Sequence, residues 1–333
     1  MSKKSEFLYP FVLVVTYFCL SLFLKVSIKD RHLSLDFFFD LLAGQSSALF
    51  IFNQLRLPAI LASCAVAILL VIATLILQAI SKNDLADPSA LGFSTIAMTV
   101  LALSYLYIPF FRGMPYWGIV SLSGLSVLLF SLMMYRFAMT GTSELDGNLL
   151  LLLGIGVNAF FQMILTYLKT YSGEAKDIIA LLMRGNFDQL SLSLSVWILL
   201  LSILALLVFL GLLRPFRLLQ QDRELAQSLG LSLKVYHVVF FGLMSLCIAL
   251  SLILGANFPF VAFTAIHVFR PYYARQFGVH LLTSILFMAA SVLMSDVLAH
   301  QLFETILPTN LFLSLFGGLG FLVVLLQRRG RQW

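Results

Sequence analysis

Apolar runs, each close to the ~20 residues that a helix needs to cross a bilayer's hydrocarbon core, alternate with short polar stretches along the whole chain. The first spans Phe7 to Leu24 and follows Lys3 and Lys4. No small-x-small cleavage site comes after it, so it is predicted to be a retained span. The second begins at Arg56-Leu57-Pro58, where proline suits a first helical turn, and reaches Ile80. Further runs at 93–109, 116–135, 149–168, 191–213, 235–256, 260–274, 281–303 and 310–327 bring the predicted spans to ten. The eighth is short and is interrupted by His267 and Arg270. Residues 25–55 are predicted to be a mixed-charge loop with a short interfacial helix around Phe37–Phe39. The predicted fold class is an all-α polytopic membrane protein, with residues 1–333 as a single transmembrane domain.

The longest polar interruption is RPFRLLQQDRELAQSLGLSLK, Arg214 to Lys234. Asp222 is placed to cap a short helix in which Leu225 and Leu229 lie one turn apart, and Gly230 is a natural stop. A short amphipathic helix between two spans lays its apolar side on the membrane or in a partner's groove. One reading is an interfacial helix that stiffens a loop; the other is a handle on which a soluble protein pulls. The second polar loop, Lys169 to Gln189, is predicted to hold a short helix near Asp177–Met183.

Composition strengthens the membrane reading. The chain is 61% hydrophobic and 11% charged, against about 25% charged in soluble domains. The net charge of +6 then reads as membrane topology and not as a nucleic-acid surface. With the N-terminus inside and ten spans, 13 of the 21 lysines and arginines fall on the inner side. That bias follows the positive-inside rule and predicts cytoplasmic N- and C-termini, with Arg214–Lys234 in the cytoplasm.

Candidate chemistry is sparse. There is no G-x-x-x-x-G-K-[ST] phosphate loop, so no nucleotide hydrolysis of its own is expected. The five histidines are scattered, without an i,i+4 pair or a carboxylate cluster, so neither metal nor cofactor is expected. Cys19, Cys64 and Cys247 lie in apolar runs without paired spacing and read as small core residues. Asp296 is the only carboxylate well inside a span; it reads first as a group bonded to a neighbouring helix and second as an ion relay. Gln78, Asn158 and Gln162 likewise read as interhelical hydrogen-bonding groups. By elimination, the chain forms a passage driven from elsewhere. An ion-coupled secondary carrier and a membrane anchor for a partner enzyme are the competing readings.

The run from Arg56 to Ser94 resembles the signature of FecCD-type iron-chelate permeases, which serve ferric siderophores, haem and vitamin B12. Leu77-Gln78, Leu85-Ala86-Asp87-Pro88 and Leu91-Gly92-x-Ser94 match its pattern. Leu152–Asn158, Ala226–Gly230, His267, Arg270, Asp296 and Leu307-Pro308 continue the resemblance in order. The chain departs from it at Ala59, Asp84, Ile266, His300, Pro259, Ala262 and Asn310.

The resemblance implies a permease of an ATP-binding-cassette importer in the bacterial cytoplasmic membrane. A dimer of cytoplasmic ATPases would energise it, and an extracytoplasmic substrate-binding protein would deliver the ligand. It further implies that Asp222, Arg223, Leu225, Ala226, Leu229 and Gly230 form the ATPase-coupling segment. Arg56 would meet an acidic contact of the binding protein, and Leu85, Ala86, Asp87, Pro88 and Gly92 would form the family turn. The departures point to pairing with a second, different permease subunit.

Overall fold

The computed structural model describes residues 3–29, 32–33, 35–112, 116–138, 146–171, 173, 190–221, 223–255, 258–273, 275–301 and 307–329. Among these, helices dominate, and a two-residue-per-strand hairpin is the exception. The order is α1 (Lys3–Ser27), β1 (Ile28–Lys29), β2 (His32–Leu33), α2 (Leu35–Leu42), α3 (Ser46–Ile51), α4 (Leu57–Ser81), α5 (Phe93–Tyr107) and α6 (Pro109–Arg112). There follow α7 (Tyr116–Ala138), α8 (Gly147–Tyr171), α9 (Leu192–Gly211), α10 (Leu213–Gln221), α11 (Arg223–Ser228), α12 (Leu233–Ile253), α13 (Val261–Tyr273), α14 (Phe277–Gln301) and α15 (Thr309–Arg329). Each of the ten predicted spans overlaps one helix: α1, α4, α5, α7, α8, α9, α12, α13, α14 or α15.

By length and composition, seven helices among the described residues are long and apolar enough to cross a membrane. α5 and the apolar part of α7 are shorter. α13 has 13 residues, a rise of about 20 Å, and carries the polar pair His267 and Arg270 that marked it in the sequence. Outward faces of α8 and α9 are large and apolar, with Leu152, Phe160, Trp197, Leu204 and Leu207 all more than half exposed. Inside, serines and threonines are abundant and bond back to the preceding turn, as Ser63, Ser81 and Thr99 do. Apolar outside and small or self-satisfied inside is the pattern lipid imposes.

The segment 25–55 differs from the predicted loop. α1 continues to Ser27 and the β1–β2 hairpin turns the chain. α2 holds Phe37–Phe39, as expected. α3 then runs through a π-helical turn, Phe52–Arg56, directly into α4, so this helix starts at Ser46 and not at Arg56. Pro58 supplies the physical reason. It offers no N–H to a carbonyl four residues back, and a widened turn before it lets the helix continue regardless. The predicted helix near Asp177–Met183 lies outside the described residues.

Contacts divide the chain into two compact units, one of Met1–Val71, Arg184–Ser202 and Phe258–Trp333, the other of Ile72–Met183 and Ile203–Asn257. In the first, α1 and α14 pack along their lengths, and α13 and α15 pack on α14 and on each other. Val14, Phe269 and Tyr273 form its buried apolar cluster. α15 lies very close to α13: a Cβ on Gly320 would come within 2.3 Å of Thr264. In the second unit, α7 packs on α12, α5 on α7 and α8, and Met98, Ala102, Leu165 and Leu168 form a buried cluster. The hydroxyls of Ser245 and Ser131 bond across the α7–α12 contact.

Candidate functional site

α10 is a strongly amphipathic helix. Its Phe216 and Leu219 are buried, and Phe216 stacks edge-on between Phe209 (5.0 Å) and Phe240 (5.8 Å). Together with Ile76, Ala79, Ile80, His237 and Phe240, these two side chains line a gap too narrow to hold a water. α11 follows at once and is closed by a Schellman arrangement: Leu231 N–H donates to the Ala226 carbonyl (3.0 Å) and Gly230 N–H to that of Gln227 (2.9 Å). Gly230 has φ +84°, the left-handed conformation that glycine adopts without a Cβ penalty. The predicted stop at Gly230 is therefore where the helix ends. Ala226 is fully buried, whereas Leu229 is 62% exposed. Asp222 lies outside the described residues, and so do the side chains of Arg223 and Leu225. The helical stretch is longer than the sequence suggested, because Leu213–Gln221 is itself helical.

The family turn is closed by its own hydrogen bonds. The Asn83 side chain accepts from Leu85 N–H (2.8 Å), and the buried Asp87 carboxylate accepts from Ser89 N–H (2.9 Å) and from the Ser89 hydroxyl. Gln78 Nε2 donates to the Ala86 carbonyl at 3.3 Å. Gln78 thus holds the turn after its own helix and does not reach across to another. Ala86 is buried and Leu85 is 40% exposed. Gly92 has φ +84°, and a Cβ there would meet Asn158 at 2.9 Å. Asn158 does bond between helices as predicted, accepting from Thr95 Oγ1 (2.7 Å) and donating to the Ala90 carbonyl (3.2 Å). Leu91 sits equally close to Gly154, whose Cβ would be 2.4 Å from its side chain. The motif stretches Leu85–Ser94 and Leu152–Asn158 are therefore the two sides of one packing junction. Gln162, by contrast, is exposed on α8.

Lys82 directly follows α4. Its Nζ donates to the carbonyls of Leu219 and Gln220, the latter at 3.2 Å, in the last turn of α10. Those carbonyls are among the four that a helix C-terminus leaves without intrahelical partners, and a cation there also meets the negative end of the helix dipole. No sequence pattern links positions 137 residues apart, so the contact was not legible in advance.

In the first unit a second polar cluster joins α1, α14 and α15. Lys25 and Asp296, both essentially buried, form an ion pair, and Thr309 Oγ1 donates to Asp296 at 3.2 Å. Asp296 is thus the interhelical group expected of it. Lys25 is the partner that the sequence did not reveal. Arg56 ends the π turn. Its guanidinium donates to the Lys25 carbonyl (3.3 Å) and lies 5.6 Å over the Phe37 ring. With 8% exposure, Arg56 lies beneath the surface, where the resemblance implied an exposed contact. Ala59, at the second arginine position of the family motif, is fully buried.

Among the described residues no group of three potential metal ligands converges. The cysteines are free; Cys247 is buried and Cys64 partly so, but Cys19 is exposed and not the core residue expected.

The sequence model of the FecCD transport family matches residues 13–327. The chain is 27% identical over 289 residues to the achromobactin transport system permease protein CbrC of Dickeya dadantii (strain 3937), covering 85% of this chain and 80% of that one. It is 28% identical over 282 residues to the vitamin B12 import system permease protein BtuC of Escherichia coli O9:H4 (strain HS), covering 83% of each. The iron-uptake system permease protein FeuC of Bacillus subtilis (strain 168) is 24% identical over 344 residues, covering 99% of this chain and 98% of that one. A solved metal-chelate type ABC transporter in an inward-facing conformation superposes with a TM-score of 0.78 at 19% identity, covering 96% of this chain and 99% of that one.

Proposed function

The chain belongs to the FecCD transport family, and we propose that it is the permease subunit of an ATP-binding-cassette importer for an iron chelate, with a ferric siderophore as substrate. It lines the translocation pathway with a second permease subunit in the bacterial cytoplasmic membrane. A cytoplasmic ATPase dimer drives it, and an extracytoplasmic binding protein feeds it. The observation that carries this reading is the family match across nearly the whole chain. Relatives named for achromobactin, vitamin B12 and iron uptake support an iron chelate or a similar metal complex as the cargo.

The mechanism follows from the parts. The segment Asp222–Gly230 takes the ATPase: α11 ends in a fixed left-handed turn that holds Leu229 out of the protein, as an apolar anchor for a partner's groove. α10 seats this segment through Phe216 and Leu219. The family turn, Leu85, Ala86, Asp87, Pro88 and Gly92, is rigid through its own hydrogen bonds and through its junction with Asn158, so it can transmit a push without flexing. Arg56 takes the binding protein on the extracytoplasmic side by adding positive potential there. The termini and Arg214–Lys234 are cytoplasmic.

The test is uptake in proteoliposomes that hold the purified transporter, with ATP enclosed and a radio-iron ferric siderophore with its binding protein outside. Uptake should need ATP and the ATPase subunit and should survive a protonophore. Uptake that persists without the ATPase and collapses with the proton gradient would make the chain a secondary carrier instead.

A further inference from the structure

Among the described residues, two contacts that differ in kind hold α10 to the protein. Phe216 and Leu219 give it an apolar seat, and burial of apolar surface is non-directional. Such a seat resists lifting far better than it resists sliding or rotation. Lys82 supplies the directional contact, with its ammonium on two adjacent carbonyls of the helix's last turn. A point charge on a flexible stem, bonded to two fixed acceptors, sets both register and rotation of that helix end.

Lys82 is itself unusually placed. It has φ +52°, a left-handed conformation uncommon for a residue with a side chain and one that persists where the surroundings over-determine it. It directly follows Ser81, the last residue of α4, and precedes the closed turn of Asn83–Gly92. The far end of that turn is jammed against α8 at Gly92–Asn158 and Leu91–Gly154. A displacement delivered at Lys82 therefore has no soft segment in which to dissipate before it reaches α4, α5 and α8.

We propose that Lys82 is a positioning residue for energy coupling: it latches the C-terminal end of α10 to the turn after α4, so that movement of the docking segment is passed to the spanning helices instead of being lost as slippage of α10. The proposal rests on the transport reading above and adds to it a residue outside the docking segment. The latch needs a cation of lysine's reach, and it is distinct from recruitment of the ATPase, which falls to α11 and its exposed Leu229.

The experiment uses the complete transporter in proteoliposomes, in a background with Cys19, Cys64 and Cys247 replaced, and reads the stimulation of ATP hydrolysis by the binding protein. Lys82→Cys should reduce that stimulation about fivefold or more, in the range typical of coupling between sites, while the ATPase still co-purifies at its normal ratio. Alkylation of the inserted protein with 2-bromoethylamine rebuilds a lysine-like ammonium at position 82 and should restore stimulation, whereas iodoacetamide should not. Because rescue acts on protein already in the membrane, a folding defect cannot mimic it. Full stimulation in untreated Lys82→Cys, equal rescue by the neutral reagent, or loss of ATPase recruitment along with stimulation would each overturn the latch. If the unsubstituted chain recruits no ATPase at all, the transport reading itself fails.

Discussion

A carboxylate that is fully buried in a membrane helix needs a counter-charge, and Asp296 has one in Lys25. Removing one partner of such a pair leaves an uncompensated buried charge, at a cost of roughly 3–5 kcal/mol. Lys25→Met should therefore lower thermal stability in detergent sharply. Lys25→Met combined with Asp296→Leu should recover much of the loss, since an apolar replacement of a whole buried pair is often neutral. A double variant no more stable than the single one would mean that the pair does not act as a unit. Asp296 was legible in the sequence because a lone acid in an apolar run stands out. Lys25 was not, since a lysine at the end of a span is indistinguishable from one that snorkels to the interface. The same asymmetry separates Asn158 from Gln78. Both are amides in apolar runs, but only the fold says that Asn158 reaches two neighbouring segments while Gln78 turns back on its own loop.

Among the elements, the long helices were legible because lipid demands continuous apolar runs, and the short ones only where a specific stop was present. Gly230 marked the end of α11 correctly, since a left-handed turn there has a residue signature. α3 and the π turn had none: Ser46–Arg56 lies at the end of the predicted mixed-charge loop and carries no stop or start signal, and its helix is continuous with α4. α10 falls in the first part of the polar interruption Arg214–Lys234, where the predicted helix begins only at Asp222, because its two arginines mask a buried Phe216 and Leu219. The element proposed here to dock the ATPase is α11 with its turn. Leu229→Glu places a charge on a side chain already 62% exposed, so the fold should tolerate it. ATPase co-purification and uptake should both be lost while the protein remains in the membrane, and Leu225→Glu should act alike. Survival of recruitment in both variants would remove Asp222–Gly230 from the docking site.

At the scale of the whole molecule, the proposed ten-span topology predicts Arg214–Lys234 and the termini in the cytoplasm and Lys169–Gln189 outside. In a cysteine-free background, a single cysteine at Ser172 should label with an impermeant reagent applied outside intact cells, and one at Gln220 should not; outside labelling of Gln220 would overturn this topology. The outer side also bears on pairing. The proposed binding protein is expected to present an acidic contact on each of two lobes, so that a permease dimer offers a basic site to both. This chain contributes Arg56, which lies beneath the surface on Phe37, and at the next motif position a fully buried Ala59. Its positive potential is therefore weak and acts at a distance, which influences encounter more than the lifetime of the complex. In a pair of identical subunits both lobes would meet that weak site. Pairing with a different permease that keeps both arginines exposed would confine the weakness to one lobe and would fix which lobe faces which subunit. The transporter is thus expected to be a heterodimer of permeases, and a purified, active complex with two copies of this chain and no other permease would refute it. In the heterodimer, Arg56→Glu should slow association with the binding protein more than it hastens release, and the effect should shrink as salt rises toward the regime where the screening length is only about 3 Å. An association rate unchanged at low salt would mean that the charge of Arg56 serves the Lys25–Phe37 contact alone.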